Sequence, residues 1–143
     1  MSDVNITVTE TSGRRRASSG SKWEPLIGYS RAVRAGSLVS VTGTVGVNAD
    51  GSYDASVASQ TRRALTIIQA AIQALGGRMQ DVVRTRMFVT DISHWQEIGA
   101  AHAEFFREIR PATTMVEVRK LIDEAALIEE QPSLLAGLSH RGR

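Results

Sequence analysis

The stretch RPATTMVEVRKLID, residues Arg110–Asp123, marks the clearest change of local structure in the sequence. Pro111 cannot continue a helix, because its ring removes a backbone donor and clashes with the preceding turn. In the residues TTMVEV that follow, Met115 and its alternate neighbours share one side, which is typical of a strand with two different faces. The stretch therefore predicts a helix that ends before Pro111 and a strand directly after it.

Two helix and strand patterns precede this stretch. Apolar residues recur at three- and four-residue spacing over Ala55–Leu75, which predicts an amphipathic helix stopped by the glycine pair after it. Period-two alternation over Asp81–Thr90 predicts a strand. Its two faces are Val83, Thr85, Met87 and Val89 on one side and Arg84, Arg86, Phe88 and Thr90 on the other. Ser93 and Gln96 have capping-box spacing. The helix predicted after them has the apolar stripe Trp95, Ile98, His102, Phe105, Phe106 and Ile109.

Strand-like patterns also flank these elements. SLVSVTGTVGV from Ser37 has period two, and its glycines Gly43 and Gly46 indicate a bulge or a close backbone approach. ALIEEQPSLLAGL from Ala126 has strand-like ends, but Pro132 argues for an edge strand or a bulge. The order predicts an α+β fold, with a mixed sheet and two helices packed on one face. We expect oligomerisation to cover the other face.

Length and composition predict one folded domain. The chain has 143 residues, of which 42% are hydrophobic and 22% charged. Residues 1–20 are expected to form a flexible arm or at most an edge strand, 21–138 the domain, and 139–143 a tail. Without a signal-peptide pattern or a stretch of about 20 apolar residues, the expected compartment is the cytoplasm, with no membrane partner. The run Arg14–Arg16 alone does not favour nucleic-acid binding.

Most cofactor chemistry lacks its residues. The chain has no cysteine, which excludes disulfides, thiolate nucleophiles and cysteine-ligated zinc. His102 and Glu104 form H-x-E, but the P-C-x-x-C that accompanies it in zinc deaminases is missing. No P-loop, G-x-S-x-G or G-x-G-x-x-G motif occurs. We therefore expect no metal and no cofactor.

Two polar residues stand out, and each has two interpretations. His102 lies on an apolar stripe, either as a core histidine satisfied by a carbonyl or as a pocket residue that binds a ligand. Arg86 either reaches solvent or points into an interface cleft.

Four blocks of the sequence, taken in order, resemble the RidA family, also called the YjgF or L-PSP family. They are GYSRAVRAGSLVSVTGTVG, QTRRALTIIQAAIQALGG, MQDVVRTRMFVTDI and AHAEFFREIRPATTMVEV, and the resemblance covers about Ser18 to Ile128. It implies a fold like that of bacterial chorismate mutase, a homotrimer around an inner barrel of sheets, and ligand clefts between subunits. Enzymes of this family hydrolyse 2-imino and enamine acids to 2-keto acids and ammonia without a cofactor.

The resemblance also implies a changed site. Active members read P-A-R-S where this chain has Thr113, so an arginine that would bind the substrate carboxylate through two charge-assisted bonds is replaced. Gly99 and His102 stand where an asparagine and a tyrosine are usual, and Gln131 aligns with an acidic residue placed to handle water. Glu129 or Glu130 would replace that acid only in a shifted register. The substrate-binding candidates are Tyr29, Gly43, Arg86, His102, Thr113 and Thr114, with Arg86 expected to supply the lost charge.

Two functions stay open at this point. One is a RidA-like trimer that binds a small imine, enamine or carbonyl metabolite and hydrolyses 2-imino acids. The other is a non-catalytic trimer that binds an imino- or keto-acid metabolite. A ribonuclease or translation inhibitor is disfavoured, because the sequence offers neither a general acid/base pair nor a basic and aromatic platform.

Overall fold

The computed structural model of the protein describes residues 3–137 and contains one eight-stranded sheet. The strand order is β1-β2-β3-β4-β8-β6-β7, and β5 also pairs with β8. The strands are β1 (Thr7–Thr11), β2 (Arg14–Ser18), β3 (Ala32–Ala35), β4 (Leu38–Val41), β5 (Thr44–Val45), β6 (Val82–Val89), β7 (Ala112–Glu117) and β8 (Ile128–Leu135). The helices are α1 (Trp23–Ile27), α2 (Val57–Ala74) and α3 (Trp95–Phe106).

The two long helices cover one face of the sheet, as the sequence predicts. Helix α2 connects β5 to β6, which lie on either side of β8 and are both antiparallel to it. Helix α3 connects β6 to β7, which are parallel neighbours. The core between sheet and helices consists of one cluster around Leu65, Ile68, Ile72 and Leu134 and a second around Met87, Val89, Ile98 and Ile128. The mixed α+β architecture is confirmed.

The beginning of α3 differs from the predicted capping box. A 3-10 turn over Ile92–His94 precedes the helix, and the side chain of Asp91 accepts the bond from the backbone N–H of Ser93. Trp95, expected on the buried stripe, is 57% exposed. The turn rotates the start of the helix, so the buried stripe begins at Ile98 rather than at Trp95.

Strand β8 is central, so the edge-strand expectation for Pro132 is wrong. The strand pairs with β6 on one side and with β4 and β5 on the other. The second ladder is interrupted between the pairs Ser40 with Ser133 and Thr44 with Glu130. Pro132 lies beside this interruption, where a residue without an N–H is tolerated. The bulge alternative thus describes the local structure better than the edge alternative.

The N-terminal segment is also more ordered than the sequence indicates. Strands β1 and β2 form a hairpin, and β2 pairs with β3, so this part of the expected arm over residues 1–20 extends the sheet. Ala17 of β2 is fully buried in the core. Of the two expectations for residues 1–20, the edge strand describes Thr7–Thr11, which pairs only with β2, whereas the predicted tail over 139–143 lies outside the described residues.

Strand alternation divides the arginine run of β2. Arg15 points towards the helices, where its guanidinium donates to the backbone oxygens of Leu75 at 3.5 Å and Ala74 at 3.3 Å. Arg34 donates to the same Leu75 oxygen at 2.7 Å. These carbonyls end α2 and carry the negative end of its dipole. Arg14 and Arg16 project from the opposite side of the strand.

A register shift in β6 changes one predicted face. The ladder with β8 shifts between Val82 and Arg84, so Val83 is bulged out and is 51% exposed. Thr85, Met87 and Val89 share one face, as predicted, and that face is the buried helix side. The alternation therefore holds from Arg84 onwards and fails at Val83.

A carboxyl group without a partner lies within the core. Glu130 of β8 is fully buried between Thr44 and Met87 of the neighbouring strands, and neither carboxylate oxygen has a hydrogen-bond partner among residues 3–137. Burial raises the pKa of Glu130 to about 8. The folded protein consequently holds a proton that the unfolded chain releases at lower pH.

We predict that Glu130 makes the protein less stable as the pH rises. Between the ordinary pKa of 4.5 and the raised value of about 8, only the folded state binds this proton, so the free energy of unfolding falls. Over that range the free energy of unfolding of the wild type should fall by on the order of 3 to 5 kcal/mol, and this fall should be absent in Glu130→Gln. Urea unfolding from pH 5 to 8.5 measures it, with the exposed Glu108→Gln as control. An unchanged pH dependence in Glu130→Gln would contradict the prediction.

We also predict that Arg15 stabilises the end of α2. Arg15→Gln removes the donors to Ala74 and Leu75 and should lower the free energy of unfolding by about 1 kcal/mol. Arg14→Gln, on the opposite side of the same strand, should change it by less than about 0.5 kcal/mol. Equal effects of the two substitutions in urea unfolding would show that the contacts with α2 contribute nothing.

Candidate functional site

The candidate residues lie on two opposite faces of the sheet. Cross-strand partners point to the same side, and successive residues of a strand point to opposite sides. Thr85 pairs with Thr113 and faces the helices, whereas Arg86 pairs with Gln131 and Thr114 and faces away from them. We call the side away from the helices the open face. Within one chain, His102 and Thr113 are brought together, and Arg86 and Thr114 form a separate set.

On the helix side, three side chains form a hydrogen-bonded chain. The Oγ1 of Thr85 lies 3.0 Å from Nε2 of His102 and 2.7 Å from Oγ1 of Thr113. The Thr113 hydroxyl also donates to the backbone oxygen of Pro111 at 3.2 Å. The position where the resemblance implies an arginine is thus occupied by a hydroxyl that is linked to an imidazole through Thr85.

His102 is neutral at physiological pH. Its ring stacks at a tilt on Phe106, with 4.6 Å between ring centroids. Burial lowers the pKa of His102 to about 4, because it disfavours the charged imidazolium. Of the two interpretations of His102 in the sequence, the core histidine bonded to a carbonyl is not what the structure contains, since its partner is the hydroxyl of Thr85.

On the open face, Arg86 stands between two neutral polar residues. Gln131 of β8 and Thr114 of β7 are its cross-strand partners. Arg86 is exposed and makes no ion pair or side-chain hydrogen bond with residues 3–137. Its guanidinium donors are therefore available to an anion.

A titratable carboxyl group lies one step along the same face. Glu129 of β8 pairs with Phe88, the residue two positions after Arg86. The Glu129 carboxylate fills the space where a Cβ at Gly43 would stand. Burial raises the pKa of Glu129, and the charge of Arg31 opposes that shift. Gly43 thus makes room for a half-buried acid on the open face, which is the close approach that the sequence indicates.

Tyr29 is held beside this face by a buried arginine. Arg31 is only 6% exposed and donates to the Tyr29 hydroxyl at 3.3 Å, the Gly43 oxygen at 3.1 Å and Thr44 Oγ1 at 3.2 Å. Its guanidinium also lies 3.5 Å from the carboxylate of Glu24. One cation therefore positions both residues of the predicted cleft wall, Tyr29 and Gly43.

A broad trough runs along the open face from these residues towards β2. Its volume is about 1080 Å³, and its lining includes Tyr29, Thr42, Gln131, Ser40, Arg14 and Arg16. The open-face positions of the described strands carry four arginines, Arg14, Arg16, Arg84 and Arg86, and one carboxylate, Glu129. Arg14, Arg16 and Lys22 line the trough together with Glu24, whereas Arg84, Arg86 and Glu129 lie outside its lining. The excess of arginines makes the open face as a whole suited to an anionic ligand.

Sequence reasoning missed two of these residues, Arg31 and Thr85, and named Glu129 only as a replacement acid in a shifted register. Thr85 was recognisable as a hydroxyl on an otherwise apolar strand face, which needs a partner when buried. Arg31 had no such signal, because its burial depends on partners distant in sequence. Glu129 depended on the register of β8, which Pro132 obscured.

Comparison with known proteins agrees with this architecture. A family model described as Endoribonuclease L-PSP matches residues 20–130. The chain belongs to the RidA/YjgF family. The match includes Tyr29, Arg86, His102 and Glu129, so both faces of the candidate site lie within the family domain.

Individual relatives support the family and the fold. An uncharacterized protein of Streptomyces coelicolor is 35% identical over 124 residues, covering 86% of this chain and 92% of the relative. The 2-iminobutanoate/2-iminopropanoate deaminase of Escherichia coli is 33% identical over 97 residues, covering 65% and 76%. A crystal structure from the YjgF/YER057c/UK114 family of Mycobacterium tuberculosis has a TM-score of 0.80 and 47% identity, covering 86% of this chain and 99% of that one.

Among residues 3–137, no three histidine, aspartate or glutamate side chains form a group that would hold a metal ion. None of the helices in this part of the chain is long and apolar enough to cross a bilayer.

We predict that Gly43→Ala displaces the Glu129 carboxylate. The new Cβ would occupy the space of that group, so Glu129 should move outwards into solvent. Its raised pKa should then fall towards the ordinary value of 4.5. A carboxyl carbon NMR titration measures this, with Gly99→Ala in α3, where a Cβ meets no other atom, as the control. An unchanged Glu129 titration would show that the two residues are not in contact.

Proposed function

We propose that this chain binds a small 2-imino or 2-keto acid on the open face of its sheet and hydrolyses the imino acid. The observation that carries the proposal is that Arg86, an available cation, and Glu129, a carboxyl with a raised pKa, face the same side one ladder step apart. A carboxylate anchor and a proton donor are what imine hydrolysis requires. Membership of a family that includes a 2-iminobutanoate deaminase supports the same chemistry.

Arg86 would bind the substrate carboxylate. Its planar fork donates two parallel bonds to a carboxylate, and its neighbours Gln131 and Thr114 bear no charge that would compete. Diagonal cross-strand neighbours such as Arg86 and Glu129 have Cα atoms about 7 to 8 Å apart. Long side chains bridge that distance around a substrate of three or four carbons.

Glu129 would transfer the protons. Its raised pKa keeps the carboxyl protonated to higher pH, so it can donate to the imine nitrogen and make the imine carbon more electrophilic. The resulting carboxylate then accepts a proton from the water that adds to this carbon. Collapse of the carbinolamine, with a proton passed from the hydroxyl to the amine, releases ammonia and leaves the 2-keto acid. Each proton taken from water or hydroxyl is returned to nitrogen, so no cofactor is consumed.

A non-catalytic metabolite-binding protein is the second candidate. Gln131 and Thr113 occupy the positions where the resemblance implies an acid and an arginine, and neither side chain can replace the group it stands for. In this case Arg86 would still bind a keto acid, but Glu129 would not turn it over.

We further propose that three copies of the chain assemble in the cytoplasm with their open faces covered, as the family resemblance implies. Leu38 and Leu135 are cross-strand partners on the open face and are 47% and 38% exposed. A pair of exposed leucines next to a polar trough is suited to a contact between copies that leaves clefts for a ligand.

The proposal predicts separable effects of Arg86→Ala and Glu129→Gln. The purified protein should accelerate the formation of 2-oxobutyrate from 2-iminobutyrate generated in the assay. Arg86→Ala should lower kcat/KM about 100-fold or more, because two charge-assisted bonds are lost. Glu129→Gln should lower kcat about 100-fold or more with little change in 2-oxobutyrate affinity.

The exposed Arg119→Ala and Glu124→Gln serve as matched controls, and sedimentation checks that every variant keeps the wild-type assembly. If 2-oxobutyrate binds in a way that depends on Arg86 but hydrolysis is not accelerated, the protein is a metabolite-binding protein and not an enzyme. If Arg86→Ala binds 2-oxobutyrate and hydrolyses 2-iminobutyrate as the wild type does, the open-face site is ruled out.

A further inference from the structure

The hydrogen-bonded chain on the helix side has a preferred direction. Each threonine hydroxyl carries a single hydrogen. The hydrogen of Thr113 is used on the Pro111 oxygen, so Thr113 must accept from Thr85. The hydrogen of Thr85 is then also used, so Thr85 must accept from Nε2 of His102. All three contacts are satisfied only when Nε2 of His102 carries a hydrogen.

The opposite direction makes fewer bonds. If Thr113 donated to Thr85 and Thr85 to His102, the Pro111 oxygen would lose its hydroxyl donor and Nδ1 of His102 would carry the hydrogen. The two directions therefore differ by one hydrogen bond, which is about 0.5 to 1.5 kcal/mol in free energy. Because the ring is neutral, protonation of Nε2 leaves Nδ1 with a lone pair.

The lone pair of Nδ1 is available to another molecule. Nδ1 forms no hydrogen bond with residues 3–137. The buried side-chain atoms without a partner in this part of the chain belong to Arg84 and Glu130, so Nδ1 is not enclosed and solvent reaches it. Thr113, at the other end of the chain, is exposed on β7. The hydrogen-bonded chain contains only two hydroxyls, an imidazole and a backbone carbonyl.

We propose that His102 binds a small ligand by accepting a hydrogen bond at Nδ1 from an uncharged N–H or O–H group, with Thr85 and Thr113 as positioning residues. The ligand class is a neutral donor such as an amide, enamine or alcohol. An acceptor such as a ketone or carboxylate is disfavoured here, because it would require reversal of the chain. The proposal concerns the helix side and is independent of Arg86 and of catalysis on the open face.

The tautomer is tested first, by long-range nitrogen–proton NMR of the histidines in the whole protein. Wild type should show His102 with the hydrogen on Nε2. Thr113→Val removes the hydroxyl that fixes the direction and should move the His102 nitrogen signals towards a mixture of tautomers, whereas Thr113→Ser should restore the wild-type pattern. A wild-type ring protonated on Nδ1 would overturn the directional argument, as would a Thr113→Val variant with unchanged signals.

Ligand binding is tested with a matched pair of probes, butanamide and N,N-dimethylbutanamide. Only butanamide has N–H groups, so it should shift the Nδ1 signal of His102 at concentrations at least tenfold lower than the dimethyl compound. His94, which has two acidic neighbours on the surface, serves as an internal reference. Equal responses to the two amides, or none to butanamide, would overturn the proposed site, whatever the outcome of the 2-iminobutyrate assay.

Discussion

The pleat of strands β6 and β8 governs every candidate site in this protein. Successive side chains point to opposite sides, so Thr85 lies under the helices and Arg86 on the open face. The same rule sends Glu130 into the core and Glu129 out of it. Two adjacent glutamates thereby acquire different chemistry from their position alone. A register slip of one residue would exchange them and would place a positive charge under α3.

Two of the buried ionisable groups among residues 3–137, Arg31 and Glu130, differ in how the cost of burying a charge is met. Arg31 is surrounded by acceptors and a carboxylate, so its charge is compensated where it is buried. Glu130 lacks such partners among the described residues and avoids the cost of a buried charge by holding a proton. Arg31 connects the segment after β2 to the cleft wall. Glu130 makes the packing of the central strand β8 sensitive to pH.

The fold was largely predictable from the sequence, and the site was only partly so. Helices α2 and α3, strands β6 and β7 and the family follow from periodicity and from the order of four sequence blocks. Val83 and Trp95 were assigned to the wrong side, because a bulge and a 3-10 turn shift the phase without a strong local signal. The N-terminal hairpin was missed, since its polar strands gain their stability from pairing with β3. Within the chain, Arg86 and His102 lie on opposite sides of the sheet, because His102 contacts Thr85 from α3. Periodicity alone does not show how that helix packs on the sheet.

The central position of β8 also affects the order in which the protein can be assembled. Strands β4 and β6 flank β8 in the sheet, although β8 follows both of them in the chain. Until Ile128–Leu135 has been synthesised, both flanking strands present unpaired backbone groups on the sides that β8 will occupy. Closure of the sheet is therefore a late, long-range event, and the nascent chain passes through a stage with two open edges, at which self-association competes with folding.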